Sequence, residues 1–148
     1  MPYNGLMASK PKPYRLIDHT GDLGLEVRGA DLPGLFSNAA LAFTDILVAV
    51  ETIRADQPQT IRVEAPDREA LLAAWLGELL YLFDARRLLF GRFEISELTD
   101  QTLTARAWGE PFDPDRHGFK HDVKAVTYHQ LQIRETAKGW RARVILDI

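Results

Sequence analysis

A chain of 148 residues, 46% hydrophobic and 26% charged, has the size and composition of a single globular domain with a well-buried core. It contains no cysteine, which excludes disulfides, thiolate metal sites and a cysteine nucleophile, and no apolar run approaches the ~20 residues of a membrane helix. A net charge of −3 argues mildly against a protein whose main task is gripping nucleic acid, since phosphate neutralisation needs clustered Lys and Arg; a cytoplasmic protein with no membrane partner and no strong direct nucleic-acid binding is expected.

Residues 1–13 carry Lys10 and Lys12 but no apolar signal core, so a short disordered tail is expected there, ahead of a domain over 14–148. A first strand over 14–17 leads into Asp18-His19-Thr20-Gly21-Asp22. Two carboxylates, an imidazole and a hydroxyl within one turn suit a hard cation or acid–base work. Asp, Thr and Gly are equally ordinary turn formers. Leu23, Leu25 and Val27 alternate with Gly24, Glu26 and Arg28, the period of a strand. Leu32, Leu35, Phe36, Ala39, Ala40, Phe43, Ile46 and Leu47 then recur at three- and four-residue steps, predicting a helix capped by Asp31, with Pro33 tolerated in its first turn.

Ile61 and Val63 give a further strand, followed by a second helix through Leu71, Leu72, Trp75, Leu76, Leu79, Leu80 and Phe83. Asp67 is its predicted cap, and Arg86 and Arg87 stand where the helix dipole favours cations. Phe93 and Ile95, then Leu103, Ala105 and Ala107, continue the period of two. Residues 109–122, with two prolines and two glycines, read as an irregular loop of the length that is often functional. His117 and His121 fall in it, a weak zinc pair once a helix is excluded.

Two longer strands are predicted over 123–134 and 140–147, joined by a turn at Lys138-Gly139. Uninterrupted alternation in the first places Val123, Ala125, Thr127, His129, Leu131 and Ile133 on one apolar face, which makes His129 a buried, hydrogen-bonded histidine. From Arg116 onward Arg and Lys outnumber Asp and Glu, a partner surface or simply a solvated strand face. At the end of the last strand the side chain of Asp147 and the α-carboxylate of Ile148 are expected close together. Two such anions need a cation or an arginine, and by parity Arg141 and Arg143 are available; sequence leaves a metal and a salt bridge open. Strands mixed with two main helices, in an order strand, helix, strand that occurs roughly twice, predict an α+β fold with mainly antiparallel sheet. No nucleophile–base pair, phosphate-binding glycine loop or RNA-recognition signature is present.

Three stretches together resemble the archease family: Asp18-His19-Thr20-Gly21-Asp22-Leu23-Gly24; the Gly109-Glu110 step with His117 after it; and Val123-Lys124-Ala125-Val126-Thr127-Tyr128-His129 with the terminal Val144-Ile145-Leu146-Asp147-Ile148. Gly21 departs from the Ala usual there and removes no ligand. The resemblance implies two strand–helix–strand–strand units, one inserted in the other. It also implies an accessory protein without catalytic residues of its own, which promotes guanylylation and repeated turnover of the ligase that joins 2′,3′-cyclic or 3′-phosphate RNA ends to 5′-hydroxyl ends. The family's metal site, described with calcium, carries over to Asp22, Asp147 and the carboxylate of Ile148. Asp18, His19 and Lys124 in the matching stretches are expected to face the partner. Two competing classes are a metal-dependent hydrolase using Asp18, His19, Asp22 and Asp147, and a chaperone or modulator of RNA-modifying enzymes.

Overall fold

The computed structural model describes residues 12–19 and 21–148, with the side chains of Asp18 and His19 left out of the description. Most of the expected tail, residues 1–11, and Thr20 lie outside the described residues. The chain runs β1 (Tyr14–His19), β2 (Asp22–Gly29), α1 (Leu32–Leu47), a 3-10 turn (Val50–Thr52), β3 (Gln57–Glu64), α2 (Arg68–Arg86), β4 (Leu88–Leu98), β5 (Thr102–Pro111), α3 (Pro114–His117), β6 (Ala125–Thr136) and β7 (Gly139–Asp147). Both helix caps form as predicted: Asp31 accepts from the backbone N–H of Gly34, and Asp67 from that of Ala70.

The strands make two antiparallel sheets, β1-β2-β7-β6 and β3-β5-β4. The second sheet with α2 is a strand–helix–strand–strand unit inserted between α1 and β6 of the first, as the resemblance implies; the outer unit gains one further strand, β1. α1 packs on β2 of one sheet and β4 of the other, and α2 on β6, β3 and β4. That double contact explains why α1 buries more than a stripe, with Ala39, Ala40 and Ala42 all inaccessible to solvent, and a helix apolar over so much of its circumference belongs between layers. Trp75 of α2 donates its indole N–H to the Phe36 carbonyl at 2.9 Å and meets Phe93 edge-on, tying helix to helix and helix to sheet. Among the described residues no helix is long and apolar enough to cross a membrane.

Two expectations need correcting. Residues 109–122 are not irregular throughout, because their prolines occupy places that need no N–H. Pro111 ends β5, and Pro114 sits in the first turn of α3, which Asp113 caps through the Asp115 N–H. Nor does alternation run unbroken through β6. Thr127 faces Ile145 and Gln132 faces Arg143, so residues 128–131 stand opposite Val144 alone. This bulge, with Gln130 at φ 53°, resets the side-chain parity. His129 is therefore exposed rather than buried, and among the described residues the fully buried histidine is His117.

Candidate functional site

The sheet β1-β2-β7-β6 buries Leu23, Leu25, Val27, Ala142, Val144 and Leu146 against the helices. Residues of intervening parity lie on its other face. Register then fixes what meets at the end of that face: His19 is opposite Asp22, Asp22 opposite Asp147, and Asp147 opposite Ala125. Directly opposed residues have Cβ atoms about 4.5–5.5 Å apart, so the carboxylates of Asp22 and Asp147 are immediate neighbours. Gly21, at φ 75°, turns the chain into β2 one residue earlier; the left-handed region suits glycine, and a Cβ would meet nothing within 4 Å.

Ile148 follows Asp147 and packs its half-buried side chain against the core, which anchors the main chain beside the two aspartates. The backbone N–H of Lys124 donates to the Asp147 carbonyl at 2.7 Å, so the segment entering β6 is fastened to the same end. The Lys124 side chain is exposed there. Asp18 and His19 are described by backbone alone, opposite Leu23 and Asp22.

The two arginines that parity offered as counter-ions are committed or distant. Arg143 faces Glu26 and donates to its carboxylate at 3.0 Å, with Arg15 donating to the same carboxylate from β1 at 2.7 Å. Arg141 faces Arg28, six residues from Asp147 and on the order of 20 Å away along an extended strand. Among the described residues neither Asp22 nor Asp147 has an ion pair or a side-chain hydrogen bond, and no three His, Cys, Asp or Glu side chains gather as a metal cluster. Two directly opposed aspartates make an oxygen-only, anionic donor pair, the chemistry a hard cation such as calcium takes, with most of its coordination left to other oxygens.

A second polar constellation is the one sequence reasoning missed. Glu110, at the end of β5, accepts two hydrogen bonds from Arg116 at 2.6 and 2.9 Å and one from the Arg54 backbone N–H at 2.7 Å. His117, wholly buried, completes the set through Nε2 at 2.9 Å. Its Nδ1 accepts from the Asp113 N–H at 2.9 Å, which fixes the ring as the Nε2–H tautomer, donating to Glu110. Arg116 also reaches the Thr52 carbonyl at 3.0 Å. The Arg116 guanidinium foremost, against the opposing effect of burial, holds the Glu110 carboxyl well below the usual carboxylate range. Gly109 just before it lies so close to Leu89 of β4 that a Cβ would collide with the Leu89 carbonyl. Every acceptor on Glu110 is used inside the protein, so this cluster clamps the 3-10 turn and α3 to the sheet. Since His117 points into it, it forms no metal pair with the half-exposed His121. The sequence signal was the tight spacing of Gly109-Glu110 and Arg116-His117.

Comparison with known proteins bears on the whole chain. The archease protein family matches residues 14–148. Curated archeases are similar along almost their full length: that of Methanosarcina barkeri is 38% identical over 146 residues, covering 96% of this chain and all of that one. The Pyrococcus furiosus archease is 41% identical over 135 residues, covering 88% of this chain and 95% of its own. Among solved structures, that of a Methanobacterium thermoautotrophicum protein in solution superposes with a TM-score of 0.77 at 34% identity, over 93% of this chain and all of that one. The crystal structure of an archease from Thermotoga maritima, described as a possible chaperone, has a TM-score of 0.59 at 17% identity over 95% of this chain and 98% of that one, a likeness of fold.

Proposed function

This chain belongs to the archease family, and we propose that it is an accessory activator of an RNA ligase, acting through a metal-bearing acidic tip at the end of β2 and β7. The observation that carries the reading is the direct opposition of Asp22 and Asp147, neither of them in an ion pair among the described residues. Two carboxylates side by side cost stability, and burial of apolar surface does not require them at that end of the sheet. A cation bound there supplies positive charge and open coordination positions to a partner. Asp22, Asp147 and the carboxylate of Ile148 would hold it, with calcium the metal best matched to oxygen donors of this kind.

The residues of this chain have separate tasks in that proposal. The ladder between β2 and β7 fixes the two aspartates against each other, and the core packing of Ile148 holds the third donor. Lys124, exposed beside them, offers an ammonium to a phosphate or carboxylate of the partner, with Asp18 and His19 the further partner-facing candidates. The partner is the ligase that joins 3′-phosphate or 2′,3′-cyclic RNA ends to 5′-hydroxyl ends, and the effect is faster guanylylation of its active-site histidine, hence repeated turnover.

The deciding experiment is multiple-turnover joining of a 3′-phosphate RNA to a 5′-hydroxyl RNA by trace cognate ligase with GTP and metal. Wild-type chain should restore repeated turnover, and the folded Asp22→Ala variant or a chain extended by Gly-Ser after Ile148 should not. An extended or substituted chain that still activates fully removes the acidic tip from the mechanism. A wild-type chain without effect on an active ligase removes the activator reading itself.

A further inference from the structure

The face that ends in Asp22 and Asp147 carries the opposite charge at its other end. Arg28 of β2 is opposite Arg141 of β7, and Arg141 is opposite Arg134 of β6, so three arginines lie side by side across the sheet. One row nearer the acidic end stand Arg15, Glu26 and Arg143. Glu26 is the single acid of these six, and it is already shared by Arg15 and Arg143. Arg28, Arg134 and Arg141 are exposed and, among the described residues, have no acidic partner. Arg134 donates to Gln132 and Arg28 to the Lys12 carbonyl. Arg15, Glu26, Arg28 and Arg141 of these rows line an open groove of about 370 Å³ together with Lys12 and Tyr14.

Like charges directly opposed in a sheet are destabilising. Charge at an edge strand can serve to prevent aggregation, which accounts for Arg134 on β6. It does not account for Arg28 and Arg141, since β2 and β7 are the two central strands. We propose that this arginine row binds the sugar–phosphate backbone of single-stranded RNA; the identity of the polyanion as RNA rests on the ligase reading above. Three features favour a nucleic-acid backbone over an acidic protein. Guanidinium forks match phosphate oxygens. Rows of one face repeat every ~6.7 Å along the strands and every ~4.8 Å across them, which spreads the charge over several successive phosphates. And no apolar residue separates the arginines, whereas protein interfaces need a buried apolar centre and nucleic-acid interfaces are polar and strongly positive. With no exposed aromatic among these rows, binding should be indifferent to base sequence. The net charge of −3 conceals this face because the acids lie elsewhere.

The test uses the full chain without ligase and a fluorescent single-stranded RNA, read by anisotropy over a salt series. Wild type should bind at low salt, and three to four phosphates contacted give a slope of log affinity against log salt of about −2 to −3. Arg28→Gln/Arg141→Gln should weaken binding at least tenfold and flatten that slope, with its melting temperature unchanged or raised. Arg62→Gln, on the other sheet, should bind like wild type. No binding at low salt overturns the proposal, as does equal binding by the double variant. Competition by polyglutamate that matches RNA of equal charge overturns it in favour of an acidic protein. A chain that activates the ligase yet fails to bind RNA refutes this proposal alone. One that binds RNA without activating leaves this proposal standing and sinks the ligase reading.

Discussion

Glu110 and the Asp22–Asp147 pair are two solutions to the problem of placing carboxylates at the end of a strand. Around Glu110 the fold assembles a guanidinium, an imidazole N–H and a backbone N–H, so its charge is answered from within. At Asp22 and Asp147 the fold does the reverse, opposing two anions and directing the nearest arginine of β7 to Glu26. The first arrangement is satisfied without any other molecule and offers nothing to one. The second has, among the described residues, no ion pair to either carboxylate, and in the proposed function it is completed from outside. In the proposed function it is the missing counter-charge at Asp22 and Asp147, more than the number of acids, that marks the candidate site.

The comparison breaks most forcefully at Glu110. Glu110→Ala leaves Arg116 and the buried His117 without their shared acceptor and should destabilise the fold by about 3 kcal/mol, the low end for breaking a buried pair because Arg116 reaches solvent; chemical denaturation measures it. The pH dependence has a definite sign. The carboxyl is depressed in the folded state, so its contribution is fully present above the unfolded value near pH 4.3 and is lost as pH falls below it. The stability gap between wild type and Glu110→Gln should therefore narrow from about pH 6 to about pH 3. A constant gap would mean that packing, and not charge, is what Glu110 contributes.

Much of this was readable from residue order alone. The two helices, their caps at Asp31 and Asp67, and the α+β class follow from short-range periodicity, which a linear sequence displays. That Asp22 meets Asp147 depends on the pairing of strands more than a hundred residues apart; the resemblance to a family, not periodicity, pointed to it. His129 was misplaced because a bulge leaves no mark in the alternation of side chains. The Glu110 clamp was missed because prolines at a strand end and in a helical first turn look the same in sequence as prolines in a loop. The arginine row was hidden for a related reason: Arg28 and Arg141 acquire meaning only when register sets them opposite each other.

A smaller effect sharpens the other half of the comparison. If the acidic pair is completed from outside, calcium should stabilise the protein by about 2.7 kcal/mol at a free concentration a hundredfold above its dissociation constant. For a domain of this length that raises the melting temperature by several degrees, at about 2–4 °C per kcal/mol. Asp22→Asn should abolish the rise, whereas Glu110→Gln should melt lower at every calcium concentration and keep it. Calcium-independent melting of the wild type would take the metal out of the tip.

The smallest effect is also the most discriminating, because it needs no ligand. In chelator, Asp22→Asn removes one of two opposed like charges and should stabilise the fold by roughly 0.2–1 kcal/mol. Arg141→Gln, which relieves the same kind of conflict on the same pair of strands six residues away, should do likewise. Surface substitutions without such a cause fall within about ±0.5 kcal/mol of zero with either sign, so the shared direction and its response to salt carry the argument. Both gains should shrink as added salt screens the repulsion. Two ends of one sheet face, opposite in sign, would then each be shown to hold a strain that the isolated fold does not require. A loss of stability in either variant would mean that the residue concerned already has a stabilising partner within the chain, and that end would be architecture of the same kind as Glu110.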